Sequence, residues 1–265
     1  MPEAETLAPV GAGAARRQVR LPLELISLIL LLGTWQVLAM AFPARLFPTP
    51  VAVAVQLWEH LTAGKLVADL GKTLTRAFIG FFVAMSLGTA IGIACGRSRV
   101  VDRLLSSTVV IGLNLPAIVV AIMLYIWLGL TEFALILAVV LNKLPLVIVT
   151  IREGVRSFSA EYDELARAYR FGFWRRLVFV GAPQLTPFVM AAARTGLSLI
   201  WKIVLVFEVL GSDGGVGFRI STFFQFFDIK GILSYSTAFI LVVFAFEYLI
   251  LRPLERWVLR WREER

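Results

Sequence analysis

The sequence predicts an all-α integral membrane protein with about six transmembrane helices, from its composition, the length of its apolar blocks and the placement of its basic residues. Of its 265 residues, 59% are hydrophobic and 17% are charged, whereas soluble domains average about 45–50% apolar and about 25% charged. The apolar residues form long blocks, and about 20 such residues cross the hydrocarbon core as a helix. Because backbone groups in lipid must pair within their own segment, each block is expected to be a helix.

The N-terminal residues 1–20 are small, polar and finally basic, and we expect them to form a disordered cytoplasmic segment. The first span is expected from Leu21 to Ala41. A signal peptide is the alternative, because basic residues precede the apolar block, but the block is long for one and no small-residue cleavage site follows. A short surface helix is predicted from Val51 to Leu61.

Five further apolar blocks predict the remaining spans, at about 73–95, 104–128, 132–151, 187–210 and 233–251. The block at 104–128 contains Asn114 and Pro116, and proline breaks a helix because it lacks an N–H group. A glycine-rich motif at 214–218 predicts a tight turn between the last two spans. The transmembrane domain is therefore expected over 21–257, followed by a charged cytoplasmic tail at 258–265.

Basic residues predict the orientation of the spans. Seventeen Lys and Arg residues fall on the side that holds both termini, the turn after the second span and the segment 152–176, against six on the other side. The positive-inside rule places both termini in the cytoplasm and explains the net charge of +8 without nucleic-acid binding. The lone Cys95 and the lone His60 predict neither an internal disulfide nor a metal site.

A polar segment between the fourth and fifth spans predicts a short amphipathic helix outside the bilayer. Ser159 fits an N-cap, and three acidic residues follow in the first turn, where they favour the helix dipole. Leu165, Ala168 and Tyr169 recur at helical spacing on one face. Such a helix can dock into a groove of a partner protein or lie on lipid headgroups, and amphipathicity alone favours the second.

The same segment resembles the EAA loop of permease subunits of ATP-binding-cassette (ABC) importers. That pattern reads Glu-Ala-Ala, three residues, Gly, nine residues, Ile, one residue and Leu-Pro. Glu164, Ala166, Val180 and Pro183 fall on its Glu, second Ala, Ile and Pro.

Three positions depart from the pattern. Leu165 replaces the first Ala, Ala182 replaces the Leu, and Arg170 stands at the Gly position. Since the next glycine is Gly172, we expect the loop to bend there or to form a longer helix.

The resemblance extends over residues 45–262 and is closest to permeases of the nitrate, taurine, alkanesulfonate and thiamine-precursor group. It is carried by residues 47–50, 72–81, 96–99, 127–130, 154–157, 207–211 and 214–218. It implies a type I ABC importer fold in the bacterial inner membrane, with a cytoplasmic coupling loop at 152–182.

The resemblance also implies partners: a second permease subunit in a homodimer, two ATPase subunits, an extracytoplasmic solute-binding protein and the lipid bilayer. ATP is expected on the ATPase subunits and no cofactor or metal on this chain, which lacks a Gly-x-x-x-x-Gly-Lys-Ser/Thr loop and is not expected to be an enzyme. The residues expected in or near the ATPase cleft are Glu164, Ala166, Arg167, Tyr169, Arg170 and Gly172.

Polar or helix-breaking residues at membrane depth are candidates for the translocation path. They are Asn114, Pro116, Lys143, Arg194, Lys202 and Glu208. Lys143, beside Pro145, is a candidate to line the path and attract an anion, in keeping with a small anionic or zwitterionic solute, and whether it lines the path stays open at this point. For Arg194 and Glu208 structural pairing is the alternative, and for Pro116 it is a packing kink.

Two other classes of protein remain as alternatives at this point. A secondary transporter would need inverted repeats and its own ion site, and the sequence shows no internal repeat. An intramembrane enzyme would need a catalytic pair within the bilayer, and none is visible in the sequence.

Overall fold

A computed structural model describes residues 23–263, and the side chains of 26–258 within them. The chain divides into two units, 1–50 and 51–265, which are considered separately. In the first unit, α1 (Leu23–Ala41) covers the described part of the first predicted span. The Trp35 indole donates a hydrogen bond of 3.0 Å to the Pro48 carbonyl. The predicted disordered segment 1–20 lies outside the described residues.

The second unit is helical throughout its described elements. Its helices are α2 (Pro50–Thr62), α3 (Lys65–Arg97), α4 (Arg99–Asn114), α5 (Ala117–Leu128), α6 (Glu132–Arg156), α7 (Ala160–Ala168), α8 (Phe173–Arg176), α9 (Ala182–Leu210), α10 (Val216–Gln225), α11 (Ile229–Phe246) and α12 (Arg252–Glu263). The predicted surface helix at 51–61 is confirmed as α2. α12 continues through the boundary predicted at residue 257, so the tail is not a separate element there.

Within residues 23–263, four helical segments are long and apolar enough to cross a membrane: Lys65–Arg97, Glu132–Arg156, Phe173–Leu210 and Ile229–Val258. They confirm the second, fourth, fifth and sixth predicted spans, each longer than its apolar block. A fifth candidate is the pair α4 and α5, whose axes differ by 100°. The predicted total of six spans is reached only if α1 also crosses the membrane. The part of α1 from Ile26 to Ala41 is apolar but shorter than the other candidates.

The bend between α4 and α5 lies where the sequence predicts it. Leu115 is extended (φ −68°, ψ 125°), as expected for a residue before proline, and Pro116 precedes the first turn of α5. The Asn114 side-chain amide caps the end of α4 by donating 2.8 Å to the Val110 carbonyl.

α3 and α6 pack closely along small residues of α3. A Cβ added at any of four glycines would lie within 2.8 Å of a β-branched side chain of α6, in the pairs Gly80–Val139, Gly88–Val147, Gly92–Ile151 and Gly96–Val155. Absent side chains let helices approach in this way. Each pair is 59 positions apart, and a constant difference means that the two helices are parallel.

The parallel pair decides how α4 and α5 run. Because α3 and α6 are parallel spans, the chain between them must cross back from the side where α3 ends to the side where α3 begins. The bent pair α4–α5 is that crossing, which makes it a broken span rather than a re-entrant loop. The ends of α3 and α6 at Arg97 and Arg156 consequently share one side, which we call the basic end, and Lys65 and Glu132 share the other.

Two π-helical turns, Leu177–Gly181 and Glu247–Leu251, widen the last two spans. Each contains the carbonyl four residues before a proline, Pro183 or Pro253. The proline ring crowds that carbonyl and supplies no N–H group, so the helix shifts to a wider turn.

Candidate functional site

Two polar regions lie at opposite ends of the second unit. One is a group of charged and polar side chains around the starts of α3 and α6, buried except for Glu132, Asp213 and Arg219, which we call the ion cluster. It comprises Asp69, Thr73, Arg76, Glu132, Glu208, Asp213, Arg219 and Tyr235. The other is the loop from Ser157 to Gly172 at the basic end, which contains α7.

Arg76 is the centre of the ion cluster. Its side chain is 3% exposed, and its Nη1 donates 2.7 Å to Glu208 and 2.6 Å to the Gly214 carbonyl. Its Nε donates 2.7 Å to Glu132, and its Nη2 donates 3.0 Å to Asp213. One guanidinium therefore joins α3 to α6, α9 and the glycine-rich turn.

Glu208 is the buried anion of this cluster, with a side chain that is 0% exposed. Besides Arg76, its carboxylate accepts hydrogen bonds of 2.9 Å from the Thr73 hydroxyl and 2.9 Å from the Gly217 backbone N–H. A buried charge is costly unless it is paired and hydrogen-bonded. Glu208 meets both conditions, so the structural pairing considered for it in the sequence is confirmed.

Asp69 fixes the start of α10. Its carboxylate accepts from the Gly215 backbone N–H at 3.2 Å, from Arg219 Nε at 2.8 Å and from the Tyr235 hydroxyl at 3.3 Å. The predicted tight turn is confirmed, because Gly215 adopts a φ of 99°. Any side chain there would collide with Glu208, since an added Cβ would lie 2.4 Å from its Oε1.

Asp213 is the most exposed member of the cluster and lies in the turn before α10. Burial raises the pKa of its carboxyl group, but the charges of Lys72 and Arg76, together with hydrogen bonds, lower it, so that the pKa lies below its ordinary value. The carboxylate therefore stays ionised under ordinary conditions and pairs with both cations, at 3.7 Å and 3.0 Å.

Sequence reasoning missed most of this cluster. It identified Glu208 as a path candidate but not its partner Arg76, which lies 132 positions earlier. The available signal was a lone basic residue and a lone acidic residue, each within an apolar block on a different span.

Lys143 and Glu208, two of the residues expected along the translocation path, are both buried. Lys143 is 1% exposed between α6 and α9, and its Nζ has no hydrogen-bond partner in the part of the chain that the structure describes. Gly196 on α9 makes room for it, because an added Cβ would lie 2.4 Å from Lys143 Cε. A side chain that lines a path must be exposed to it. Both side chains are buried in this conformation, and their place along the translocation path stays a prediction.

The other path candidates are exposed on the second unit: Asn114, Pro116, Arg194 and Lys202. Arg194 pairs with Glu255 at 2.9 Å and with Glu247 at 3.9 Å, which joins α9 to the last span. Lys202 makes no ion pair with a residue that the structure describes.

At the basic end, α7 (Ala160–Ala168) confirms the predicted amphipathic helix. The Ser159 hydroxyl accepts from the Glu161 backbone N–H at 3.3 Å, as an N-cap does. Gln184 of α9 accepts 2.9 Å from the Ser159 backbone N–H, and Asp163 pairs with Arg176 at 2.8 Å. The helix is thus held against the start of the fifth predicted span.

The loop residues divide by exposure. Glu164, Arg167, Tyr169, Arg170 and Gly172 are exposed, whereas Ala166 is 3% exposed and faces its own chain. Of the residues expected in a partner's cleft, Ala166 is therefore directed inwards instead.

The bend after α7 occurs at Arg170, and the expectation of a bend at Gly172 or a longer helix is wrong. Arg170 has a φ of 48°, whereas Gly172 is extended at −65°. The Phe171 N–H bonds to the Ala166 carbonyl at 2.8 Å, and the Arg170 N–H to the Arg167 carbonyl at 3.0 Å. This is a Schellman motif, in which the left-handed position normally holds glycine. Arg170 occupies the backbone conformation that the pattern's glycine would take.

Comparison with known proteins adds a family and a fold. The family described as binding-protein-dependent transport system inner membrane component matches residues 86–254. The aliphatic sulfonates transport permease protein SsuC of Bacillus subtilis is 28% identical over 88% of this chain and 84% of its own length. The riboflavin transport system permease protein RibX of Chloroflexus aurantiacus is 29% identical over 89% and 88%. The taurine transport system permease protein TauC of Escherichia coli is 26% identical over 78% and 72%.

Among solved structures, an inward-facing form of the MetNI methionine ABC transporter is similar in fold. Its TM-score is 0.63 at 17% identity, and the alignment covers 73% of this chain and 95% of that one.

Proposed function

The chain belongs to the family of binding-protein-dependent transport system inner membrane components, and we propose that, as the permease subunit of an ABC importer, it forms with a second copy of itself the path for a small anionic or zwitterionic solute. Proteins of this kind work with separate ATPase subunits and a solute-binding protein. The observation that carries the proposal is the capped, exposed helix α7 between two spans, in the segment that resembles the EAA loop.

The solute class is supported by the relatives. Two of them are named for aliphatic sulfonates and one for taurine, which are small anions or zwitterions. The riboflavin relative, at a similar identity of 29%, indicates that solutes differ between members at this level of similarity.

Uptake into proteoliposomes tests the function. The full chain, reconstituted with its ATPase subunits and binding protein, is expected to take up labelled taurine or ethanesulfonate when ATP is enclosed, with nitrate and riboflavin as comparison solutes. Uptake that continues without the ATPase subunits would instead identify a secondary transporter. An ATP-dependent preference for riboflavin would contradict the proposed solute class but not the proposed role as an importer permease.

The exposed residues of α7 are proposed to contact the ATPase: Glu164, Arg167 and Tyr169, with Arg170 and Gly172 shaping the end of the helix. Reversing the charge in Glu164→Lys is expected to reduce the stimulation of ATPase activity by the binding protein, while insertion of the permease is unchanged. Glu59→Lys, at an exposed glutamate of α2, is the matched control. Equal stimulation in both variants would remove α7 from the contact.

We also propose that the basic end faces the cytoplasm, with both termini there. The parallel α3 and α6 place Arg97, Arg99 and the segment 152–176 on one side, where the basic residues predicted them. In a Cys95→Ala background, a cysteine at exposed Ser157 is expected to react with an impermeant thiol reagent only after the membrane is opened. A cysteine at exposed Lys230 is expected to react in intact cells stripped of their outer membrane. The reverse pattern would invert the orientation.

A further inference from the structure

A cavity of about 850 Å³ opens at the basic end of the second unit. It lies between the ends of α3 and α6 on one side and the segment from α7 to the π turn after α8 on the other. Its charged lining consists of Arg97, Arg99, Arg156, Arg176 and Asp163. The four cations and one anion give the cavity a strongly positive lining.

The four arginines of the lining differ in whether they form ion pairs within the chain. Arg176 is paired with Asp163 at 2.8 Å, and Arg156 with Asp102 at 2.6 Å. Arg97 and Arg99 are exposed and form no ion pair with a residue that the structure describes. The cavity therefore carries two guanidinium groups whose charge is not neutralised by the described part of the chain.

The rest of the lining is apolar, with Val155, Phe158, Leu177 and Val180 among its residues. Trp174, beside the cavity-lining Phe173, is 74% exposed at the start of the fifth span, and aromatic side chains at span ends favour the lipid headgroup region. A ligand that matches both parts of this lining has an anionic head and an apolar body.

We propose that this cavity binds the phosphate group of an anionic phospholipid of the surrounding leaflet. Guanidinium groups form paired hydrogen bonds with phosphate oxygens, and basic pockets between transmembrane helices on the cytoplasmic side bind anionic headgroups. A soluble phosphate shares the head chemistry but leaves the apolar wall uncovered, so the lipid fits the lining better. The assignment to the cytoplasmic leaflet rests on the proposed orientation.

A lipid in this position has a consequence for the loop. It would contact the end of α3 through Arg97. On the opposite wall it would contact α8, which the ion pair between Arg176 and Asp163 holds to α7. Occupancy of the cavity then restrains the helix that is proposed to contact the ATPase, without any contact between lipid and ATPase.

Lipid retention on the full chain tests the proposal. The permease, purified with its ATPase subunits from nanodiscs that contain phosphatidylglycerol and phosphatidylcholine, is expected to keep phosphatidylglycerol in native mass spectrometry. The double variant Arg97→Gln/Arg99→Gln is expected to lower that retention about 25-fold, because each arginine near an anionic surface contributes about fivefold. Arg103→Gln, an exposed arginine of α4 that does not line the cavity, is the matched control and is expected to retain the lipid.

Three outcomes would overturn the proposal. Equal retention in the wild type and in the double variant would show that the two arginines hold no headgroup. Displacement of the lipid by millimolar inorganic phosphate, with no loss of thermal stability, would assign the cavity to a soluble phosphate. If the permease keeps the lipid when it is alone but loses it when it is bound to its ATPase subunits, the cavity would be assigned to the contact between permease and ATPase. Because lipid retention requires no transport, these failures are distinguishable from a failure of ATP-dependent uptake, which tests the proposed function.

Discussion

Arg76 and Lys143 are both buried basic residues on membrane-spanning helices, and their surroundings are opposite. Arg76 bonds to three carboxylates and a backbone carbonyl, whereas Lys143 Nζ has no partner among the described residues. Burial of a cation at membrane depth therefore does not by itself determine how the charge is stabilised. Its consequences depend on which charges remain unpaired when it is removed.

The largest effect is expected from Arg76→Leu. It leaves the fully buried Glu208 carboxylate without its cation, and removing one partner of a buried pair costs about 3–5 kcal/mol. Glu132 and Asp213 are half or more exposed and can turn to water, so they add little to this loss. Thermal unfolding in detergent, compared with Lys72→Gln on the same helix, measures it. The control is expected to change stability by under about 1 kcal/mol, because its ion pair is exposed.

The double variant Arg76→Leu/Glu208→Leu checks the cause. It removes both charges, so it is expected to recover part of the loss of Arg76→Leu. If the double variant is as unstable as the sum of the two single variants, the pair is not the source of the effect.

Glu208→Gln is expected to have the next largest effect. The amide keeps the shape of the carboxylate and can still accept from Thr73 and Gly217, but it loses the charge that faces Arg76. A hydrogen bond to a charged group contributes about 1.5–3 kcal/mol, which sets the size of the expected loss. Stability equal to that of the wild type would mean that Glu132 and Asp213 suffice for Arg76.

A smaller effect is expected on the Lys143 side, from Gly196→Ala. The added methyl group would overlap Lys143 Cε, and overpacking costs about 1–3 kcal/mol, here towards the lower value because the end of a lysine side chain can move. Adding Gly196→Ala to a Lys143→Ala chain is expected to cost less than adding it to the wild type. Additive losses in this double-mutant cycle would show that the two residues do not interact.

The smallest effect is expected from Lys143→Met, whose side chain is of similar length and carries no charge. Since the lysine Nζ has no partner to leave unpaired, stability is expected to change by less than about 1.5 kcal/mol or to rise. ATP-dependent uptake by the same variant completes the comparison. A loss of uptake without a loss of stability would mean that Lys143 meets the solute in another conformation.

Local features could be predicted from the sequence because their signals are local. The cap at Ser159, the break at Pro116 and the tight turn at Gly215 each depend on the chemistry of a few adjacent residues. The spans were located for the same reason, although polar turns continue each of them beyond its apolar block.

Long-range partners could not be predicted in this way. The Arg76–Glu208 pair joins residues 132 positions apart, and no pattern of spacing indicates it. Lys143 was assigned to the path because it is charged at membrane depth, whereas the room for it comes from a missing side chain on another helix, Gly196. The bend at Arg170 was missed because the composition of the loop suggested Gly172, while hydrogen bonds at the end of α7 determine which residue becomes left-handed.

The constant offset between α3 and α6 limits how this sequence can change in length. One residue inserted between Gly80 and Gly88 would rotate the later glycines by about 100° away from α6, so that valine and isoleucine side chains would meet Cβ atoms instead. The same insertion between Arg97 and Glu132 would leave the four α3 glycines opposite their present neighbours. Within the broken span, Gly112 is also packed closely, because an added Cβ would lie 2.6 Å from Pro145 of α6. Insertions and deletions in natural variants of this chain should therefore accumulate in the connection between α3 and α6, away from Gly112, and be excluded from the two helices themselves.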